Sequence, residues 1–195
     1  DLAQAVQSLH SQDAIHLDIK PENILIDDKG KLTLIDFGLS HHARYPDLLA
    51  EEMRKGVGSA PYISPEQVAG IRSDSRSDIY SVGCLLFELL TGRTPFIGDT
   101  PVAIAYQHVS AVPPLASEVN EEIDSNLDSI LQVALQKDPK NRYQTAGAML
   151  ADIRRAMKGQ AVTTKIKKVR PKATGYIVAA LLVTIGFIVV MYLNF

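Results

Sequence analysis

The sequence predicts a mainly α-helical domain with one small β-hairpin, followed by a basic linker and a single transmembrane helix. Apolar residues recur at helical spacing over most of residues 1–157. Two short apolar runs flank a turn-forming tetrapeptide, and a long uncharged run lies near the C-terminal end. With 195 residues, 46% of them apolar and 22% charged, the chain is long enough for one well-buried domain.

The N-terminal part begins with a helix over residues 1–12, where Leu2, Val6 and Leu9 share one face. Three short apolar pieces that follow are typical of strands: Ile15–Leu17, Ile24–Ile26 and Leu32–Ile35. The last two flank Asp27-Asp28-Lys29-Gly30, so they predict a β-hairpin. Residues 38–65 lack periodicity and predict a long ordered loop, which inside a compact domain is usually functional.

The middle of the chain predicts four helices. The first, Ile79 to Leu90, is apolar on nearly every side, with Asp78 near its start and Gly92 just past its end. We therefore expect it to run through the core. Three further helices are predicted over residues 100–110, 124–136 and 145–157, with Thr145 as a plausible N-cap.

The C-terminal run from Tyr176 to Leu193 contains no charged residue. With its flanks it matches the ~30 Å thickness of a bilayer's hydrocarbon core. The alternative, a buried core helix, is disfavoured because such helices seldom stay apolar on all faces for this length. The sequence thus predicts a transmembrane helix over 175–194, preceded by a linker over 158–174.

Six basic and no acidic residues lie between Lys158 and Lys172. Such a run is retained on the cytoplasmic side of a membrane, can touch anionic lipid headgroups, or is simply a solvated linker. We expect a single-pass protein of the cell membrane with residues 1–157 in the cytoplasm. Those residues carry 14 Lys and Arg against 22 Asp and Glu, which argues against nucleic acid as partner. The single Cys84 fits a reducing compartment.

Three motifs carry the chemistry. The first is His16-Leu17-Asp18-Ile19-Lys20-Pro21-Glu22-Asn23; Asp36-Phe37-Gly38 begins 13 residues after Asn23, and Ser64-Pro65-Glu66 follows. In this order they resemble the catalytic loop, the metal-binding triplet and the APE-type element of protein kinases. The resemblance covers 1–157, including Asp78-Ile79-Tyr80 and Lys137-Asp138-Pro139. The run from Thr94-Pro95-Phe96 through Ala105-Tyr106-Gln107-His108-Val109 looks especially like membrane-anchored bacterial serine/threonine kinases of the PknB type.

The resemblance implies the C-terminal lobe of a kinase that moves the ATP γ-phosphate to Ser or Thr of protein substrates. Asp18 would accept the substrate hydroxyl's proton, and Lys20 would stabilise charge on the γ-phosphate. Asn23 and Asp36 would hold Mg²⁺, with Mn²⁺ as the alternative metal. Leu25 would lie beneath the adenine. Further expected partners are the lipid bilayer and a second copy of the chain in a homodimer.

Other matched residues would be structural or belong to the activation segment: His16, Phe37, Gly38, Ser59, Glu66, Asp78 and Arg142. Glu66 and Arg142 would form a buried ion pair, Asp78 would bond the backbone of the catalytic loop, and the Ser59 hydroxyl would contact Asp18 and Lys20. Taken singly, Asp18, Lys20 and Leu25 have plainer interpretations, as a cap, a surface charge and a core residue respectively. The joint spacing favours the kinase interpretation.

The sequence departs from the family at two places. Nothing matches a Gly-rich loop or a phosphate-binding strand Lys. We therefore expect an N-terminally truncated chain that is inactive by itself. Leu17 stands where most such kinases have Arg, and the loop from Leu39 to Gly58 offers only Ser40 and Tyr45 as hydroxyls, so we expect activation without loop phosphorylation. The alternatives are a membrane-anchored pseudokinase or scaffold, and a membrane anchor with a decayed soluble part.

Overall fold

Helices dominate the described part of the chain, which in the computed structural model comprises residues 1–42, 59–71 and 73–164. The helices are α1 (Leu2–His10), α2 (Pro65–Val68), α3 (Ser75–Thr91), α4 (Pro101–Ser110), α5 (Ser125–Ala134) and α6 (Ala146–Ala156). The strands are β1 (Ala14–Ile15), β2 (Ile24–Ile26), β3 (Leu32–Leu34) and β4 (His41–His42). Short 3₁₀ turns cover Pro21–Asn23, Ala116–Glu118 and Pro139–Asn141.

The five helices predicted within residues 1–157 are confirmed, with shifts at their ends. Four helices begin after a side chain that accepts an N–H bond from the first turn, at Asp74, Thr100, Asp124 and Thr145. Helix α3 starts at Ser75, four residues before the predicted Ile79. The apolar pattern missed this first turn because its buried members include the polar Ser77 and Asp78.

Helix α3 is the centre of the fold, as its sequence predicts. Residues on all of its sides are buried, and it joins the two apolar clusters that form the core. At Gly83 an added Cβ would come within 2.9 Å of the Ala134 Cβ, so a glycine is needed for the close approach of α3 and α5. The helix ends at Gly92, whose φ of 76° is left-handed, as expected for a C-cap glycine.

Two small antiparallel sheets lie beside the helices: β2 pairs with β3, and β1 pairs with β4. In the predicted hairpin, Ile24 lies opposite Leu34 and Ile26 opposite Leu32. Its turn is held by the Asp27 carboxylate, which accepts bonds from the N–H groups of Lys29 and Lys31. This hairpin brings residue 23, before β2, close to residue 35, after β3.

A buried ion pair closes the lobe between α2 and the segment before α6. Both guanidinium ends of Arg142 donate to Glu66, each at 2.7 Å, and Ser77 donates to the same carboxylate. Burial alone would raise the pKa of Glu66, but the bonds and charge of Arg142 outweigh it and keep that pKa below its ordinary value. The pair predicted from the sequence is therefore present.

The C-terminal end of the described chain stays attached to the lobe beyond Met157, where the sequence placed the domain boundary. Asp152, on α6, accepts bonds from the Thr163 N–H and hydroxyl, both at 2.8 Å, and from the Thr164 N–H at 3.1 Å. Val162 packs against the core. These bonds hold the first residues of the predicted linker against the lobe, as far as Thr164.

Three of the predicted segments lie wholly or partly outside the described residues. No helix within the described residues has both the length and the apolar character needed to cross a bilayer. The predicted transmembrane helix at 175–194 and the linker from 165 lie outside the described residues. So does most of the predicted long loop, residues 43–58.

Candidate active site

The loop between β1 and β2 is held in place by a side chain of α3. The Asp78 carboxylate accepts the N–H of His16 at 2.9 Å and the N–H of Leu17 at 2.7 Å, as the sequence predicts. It also bonds Nε2 of His10, at the end of α1, at 2.8 Å. Since Asp78 is fully buried, these bonds satisfy a charge that would otherwise be costly to desolvate.

Three predicted site residues converge just after this anchored segment. Lys20 Nζ lies 2.7 Å from Asp18 Oδ2, and Asn23 Nδ2 donates to the same carboxylate oxygen at 3.0 Å. Asn23 also donates to the Asp18 backbone carbonyl at 2.8 Å, so its side chain is fixed at two points. The arrangement directs a carboxylate and an ammonium to one place, and only 11% of the Asp18 side chain is exposed.

The electrostatic environment of the site favours the protonated form of the Lys20 side chain. The hydrogen bond that Lys20 donates to Asp18 raises the pKa of Lys20 above its ordinary value, and the negative charges of Glu22 and Asp36 add to this effect against the penalty of burial. Lys20 therefore remains protonated at neutral pH.

Asp36 is brought to the site by the hairpin. The Ile35 N–H donates to the Asn23 carbonyl at 3.0 Å, which places Asp36 one residue from the Asn23 backbone. Asp36 is left-handed, with φ of 60°, and its Oδ1 accepts the Gly38 N–H at 3.1 Å. A Cβ on residue 38 would lie 3.1 Å from that same oxygen, so a glycine gives this turn the room it needs.

The segment around Asp36 is packed against the anchored loop through His16 and Phe37. The two rings are tilted at 45° with their centroids 5.0 Å apart, and His16 Nε2 bonds the Ile35 carbonyl at 3.1 Å. His16 is fully buried whereas Phe37 is half exposed. These contacts connect the loop that carries Asp18 to the triplet that carries Asp36.

The oxygen atoms at this site fit a hard divalent cation. Because Asn23 uses its nitrogen on Asp18, its carbonyl oxygen is the atom left for a metal, and Asp36 retains one carboxylate oxygen beyond the bond to Gly38. Among the described residues no group of three His, Cys, Asp or Glu side chains could enclose a metal. A site with one carboxylate and one amide suits Mg²⁺, which usually keeps waters and binds substrate phosphates as well.

Leu25, expected beneath the adenine, lies on β2 with its side chain exposed. It is 54% exposed and its neighbour Ile26 is 69% exposed. Because successive strand residues face opposite sides of a sheet, these two side chains belong to different faces of the hairpin. Leu25 lies two residues after Asn23, next to the polar cluster.

Other predicted residues lie near the site or support it from elsewhere. Ser59 lines a small cavity together with Asp18, but no hydrogen bond joins its hydroxyl to Asp18 or Lys20. The expected contact of this hydroxyl is therefore not found. Glu66 and Arg142 support the lobe without reaching the cluster.

The structure also shows supporting residues that the sequence analysis missed, namely His10, Gln67 and Ser77. Gln67 had a signal, because Ser64-Pro65-Glu66-Gln67 fits the capping-box pattern of Ser followed by Gln three residues later. His10 and Ser77 had none, since their partners are distant in the sequence.

Comparison with known proteins gives the family of this chain. Residues 1–152 match the family model described as the protein kinase domain. The chain is 44% identical to the serine/threonine-protein kinase PknB of Mycolicibacterium smegmatis over 161 residues, which are 83% of this chain and 26% of that protein. It is 41% identical to a probable serine/threonine-protein kinase of Streptomyces coelicolor over 175 residues, 90% of this chain and 26% of that protein.

This chain belongs to the protein kinase family. A probable serine/threonine-protein kinase of Corynebacterium efficiens is similar as well, with 40% identity over 156 residues, or 78% of this chain. The chain spans about a quarter of the length of the curated relatives it matches. The likeness to PknB-type kinases deduced from the sequence is therefore confirmed at the level of the family.

Proposed function

We propose that this chain is the C-terminal, catalytic lobe of a serine/threonine protein kinase that transfers the γ-phosphate of ATP to Ser or Thr of protein substrates. The observation that carries the proposal is the convergence of Asp18, Lys20 and Asn23 through contacts of 2.7 and 3.0 Å. Asp36 follows Ile35, whose N–H donates to the Asn23 carbonyl at 3.0 Å. The names of the relatives support the choice of Ser and Thr as acceptors.

The residues divide the work of phosphoryl transfer as follows. The substrate hydroxyl oxygen forms a bond to the γ-phosphorus while the bond to the β–γ bridging oxygen breaks, and ADP leaves. Asp18 takes the proton of the hydroxyl, and Lys20 stabilises negative charge on the phosphoryl oxygens. Asn23 and Asp36 would hold Mg²⁺, which when bound neutralises phosphate charge. Leu25 would support the adenine ring.

Phosphotransfer needs parts that this sequence does not match, namely a Gly-rich loop and a strand Lys for the α- and β-phosphates. We therefore propose that the 195-residue chain is inactive by itself and that activity belongs to a protein that supplies these parts. We further propose a basic linker over 158–174 and a transmembrane helix over 175–194, with the kinase portion in the cytoplasm.

The test is phosphotransfer by the full-length gene product from labelled ATP to Ser- and Thr-containing protein substrates. Asp18→Asn should lower kcat by about 10²- to 10⁴-fold, the usual contribution of a positioned acid or base. Asp28→Asn makes the same chemical change in the exposed hairpin turn and should leave kcat unaltered. Equal activity of Asp18→Asn and the parent protein would refute the role of Asp18, and an inactive parent protein would favour a binding or scaffold module.

A further inference from the structure

The residue before the proposed catalytic carboxylate has an unfavourable backbone conformation. Leu17 has a φ of 65°, in the left-handed region that residues with a Cβ rarely occupy. Its side chain is buried, with 4% of the residue exposed. Such a conformation persists only where surrounding groups enforce it, and such positions cluster at functional sites.

Two buried side chains hold the peptide groups on either side of Leu17. Asp78 accepts the Leu17 N–H at 2.7 Å, and Gln67 Nε2 donates to the Leu17 carbonyl at 2.9 Å. The bond from Asp78 is expected from the kinase resemblance of the sequence. The bond between Gln67 and Leu17 joins residues 50 positions apart and is not expected from the sequence. Both supporting groups are buried, so water competes little with either bond.

The orientation of the Gln67 amide is fixed by its other end. Its Oε1 accepts the Ser64 N–H at 3.1 Å and the Ser64 hydroxyl at 2.8 Å. The nitrogen must therefore face Leu17, where the partner is a carbonyl that can only accept. A Glu carboxylate here would place an oxygen against that carbonyl, and an apolar side chain would leave the carbonyl without its donor.

The Leu17 carbonyl and the Asp18 N–H belong to one peptide plane. Gln67 holds the oxygen of this plane, and His16 Nδ1 accepts the Asp18 N–H at the longer distance of 3.4 Å. The tilt of this plane sets the direction in which the Asp18 side chain leaves the backbone. That direction decides whether Asp18 reaches Lys20 and Asn23.

We propose that Gln67 is a positioning residue for the kinase reaction. From the start of α2 it fixes the peptide plane that leads into Asp18, and thereby aims the Asp18 carboxylate. Helix α2 directly follows residues 59–64, of which Ser59, Tyr62 and Ile63 line the small cavity next to Asp18. Gln67 thus couples this segment to the proposed catalytic loop. The inference rests on the proposed function.

The experiment compares Gln67→Met and Gln67→Glu in the full-length gene product. Both variants remove the donor to Leu17, and Gln67→Met does so with similar shape and no charge. We expect kcat to fall about 10- to 100-fold, the scale of a misplaced catalytic group, with the KM for ATP within about twofold of the parent value. If Gln67→Glu does not fold, Gln67→Met alone gives the comparison.

Gln132 provides the matched control. Its Nε2 also donates to backbone carbonyls, those of Pro113 and Pro114, at 3.2 and 3.4 Å. Gln132→Met should leave kcat unchanged. It should lower the melting temperature by about as much as Gln67→Met does. A kcat for Gln67→Met that equals the parent value, or one that falls no further than that of Gln132→Met, would overturn the proposal.

A readout that does not depend on activity separates this inference from the proposed function. In a crystal structure of the Gln67→Met variant, we expect the Asp18 Oδ2 to Lys20 Nζ distance to exceed its present 2.7 Å by more than about 1 Å. An unchanged distance would refute the positioning role even if the parent protein transfers no phosphate. If the parent protein transfers no phosphate but the Asp18 Oδ2 to Lys20 Nζ distance is longer in the variant, only the proposed function is refuted.

Discussion

The Arg142 guanidinium uses all five of its N–H groups, which makes its replacement by lysine a demanding test of the fold. Two groups bond the Glu66 carboxylate at 2.7 Å each. The other three bond the backbone carbonyls of Gln136, Arg76 and Lys137 at 2.7, 2.9 and 3.0 Å. Lysine keeps the charge but is a single point donor with three N–H groups, so Arg142→Lys leaves several buried acceptors unpaired.

The expected cost follows from the burial of the pair. Only 3% of Arg142 and 7% of Glu66 are exposed. The three N–H groups of a lysine leave at least two of the five buried acceptors without a donor, at about 1–3 kcal/mol each, so the expected cost is about 2–6 kcal/mol. For a domain of this size about 1 kcal/mol lowers the melting temperature by about 2–4 °C, so Arg142→Lys should lower it by about 4–24 °C.

Urea unfolding of the purified chain at pH 7, followed by circular dichroism, measures this cost. Arg154→Lys is the control, since Arg154 is exposed and donates only to Gln4 at 3.1 Å. It should change the free energy of unfolding by less than about 0.5 kcal/mol. A loss below about 1 kcal/mol for Arg142→Lys would refute the argument that the five-bond network stabilises the lobe.

Two further predictions concern pH dependence and the linker. Burial lowers the pKa of Lys137 to about 7, so between pH 7 and 9 the folded chain binds fewer protons than the unfolded chain. The free energy of unfolding, relative to that of Lys137→Met, should therefore rise with pH over this range. A difference that stays flat or falls in urea unfolding would contradict this. Asp152→Asn removes a carboxylate oxygen that accepts bonds from the N–H groups of Thr163 and Thr164. Hydrogen exchange at these two amides should therefore accelerate by about tenfold or more. Unchanged exchange rates at both amides would show that Asp152 does not hold the linker.

Local patterns in the sequence were sufficient to place the main elements. The hairpin around Asp27–Gly30 and the helix ending at Gly92 follow from turn and cap preferences that act within a few residues. The start of α3 was less predictable, because Ser77 and Asp78 are buried by partners elsewhere in the chain. Periodicity reports apolar burial and therefore misses polar residues that are buried with distant partners.

The motifs also indicated the members of the candidate site without showing its geometry. Asp18, Lys20 and Asn23 lie within six residues of one another, so a single loop can bring them together. The contact of Gln67 with Leu17 spans 50 residues. No local pattern can show such a contact, because it depends on how α2 packs against the loop.

The sequence by itself determined the family, the order of the elements and the residue types needed for phosphoryl transfer. These properties depend on short-range spacing and on side-chain chemistry, which the sequence displays directly. Only the tertiary structure decided that Gln67 holds the carbonyl of Leu17, whose N–H Asp78 holds, and that all five N–H groups of Arg142 are paired. Such bonds form only once packing has excluded water and brought remote groups to within about 3 Å of each other.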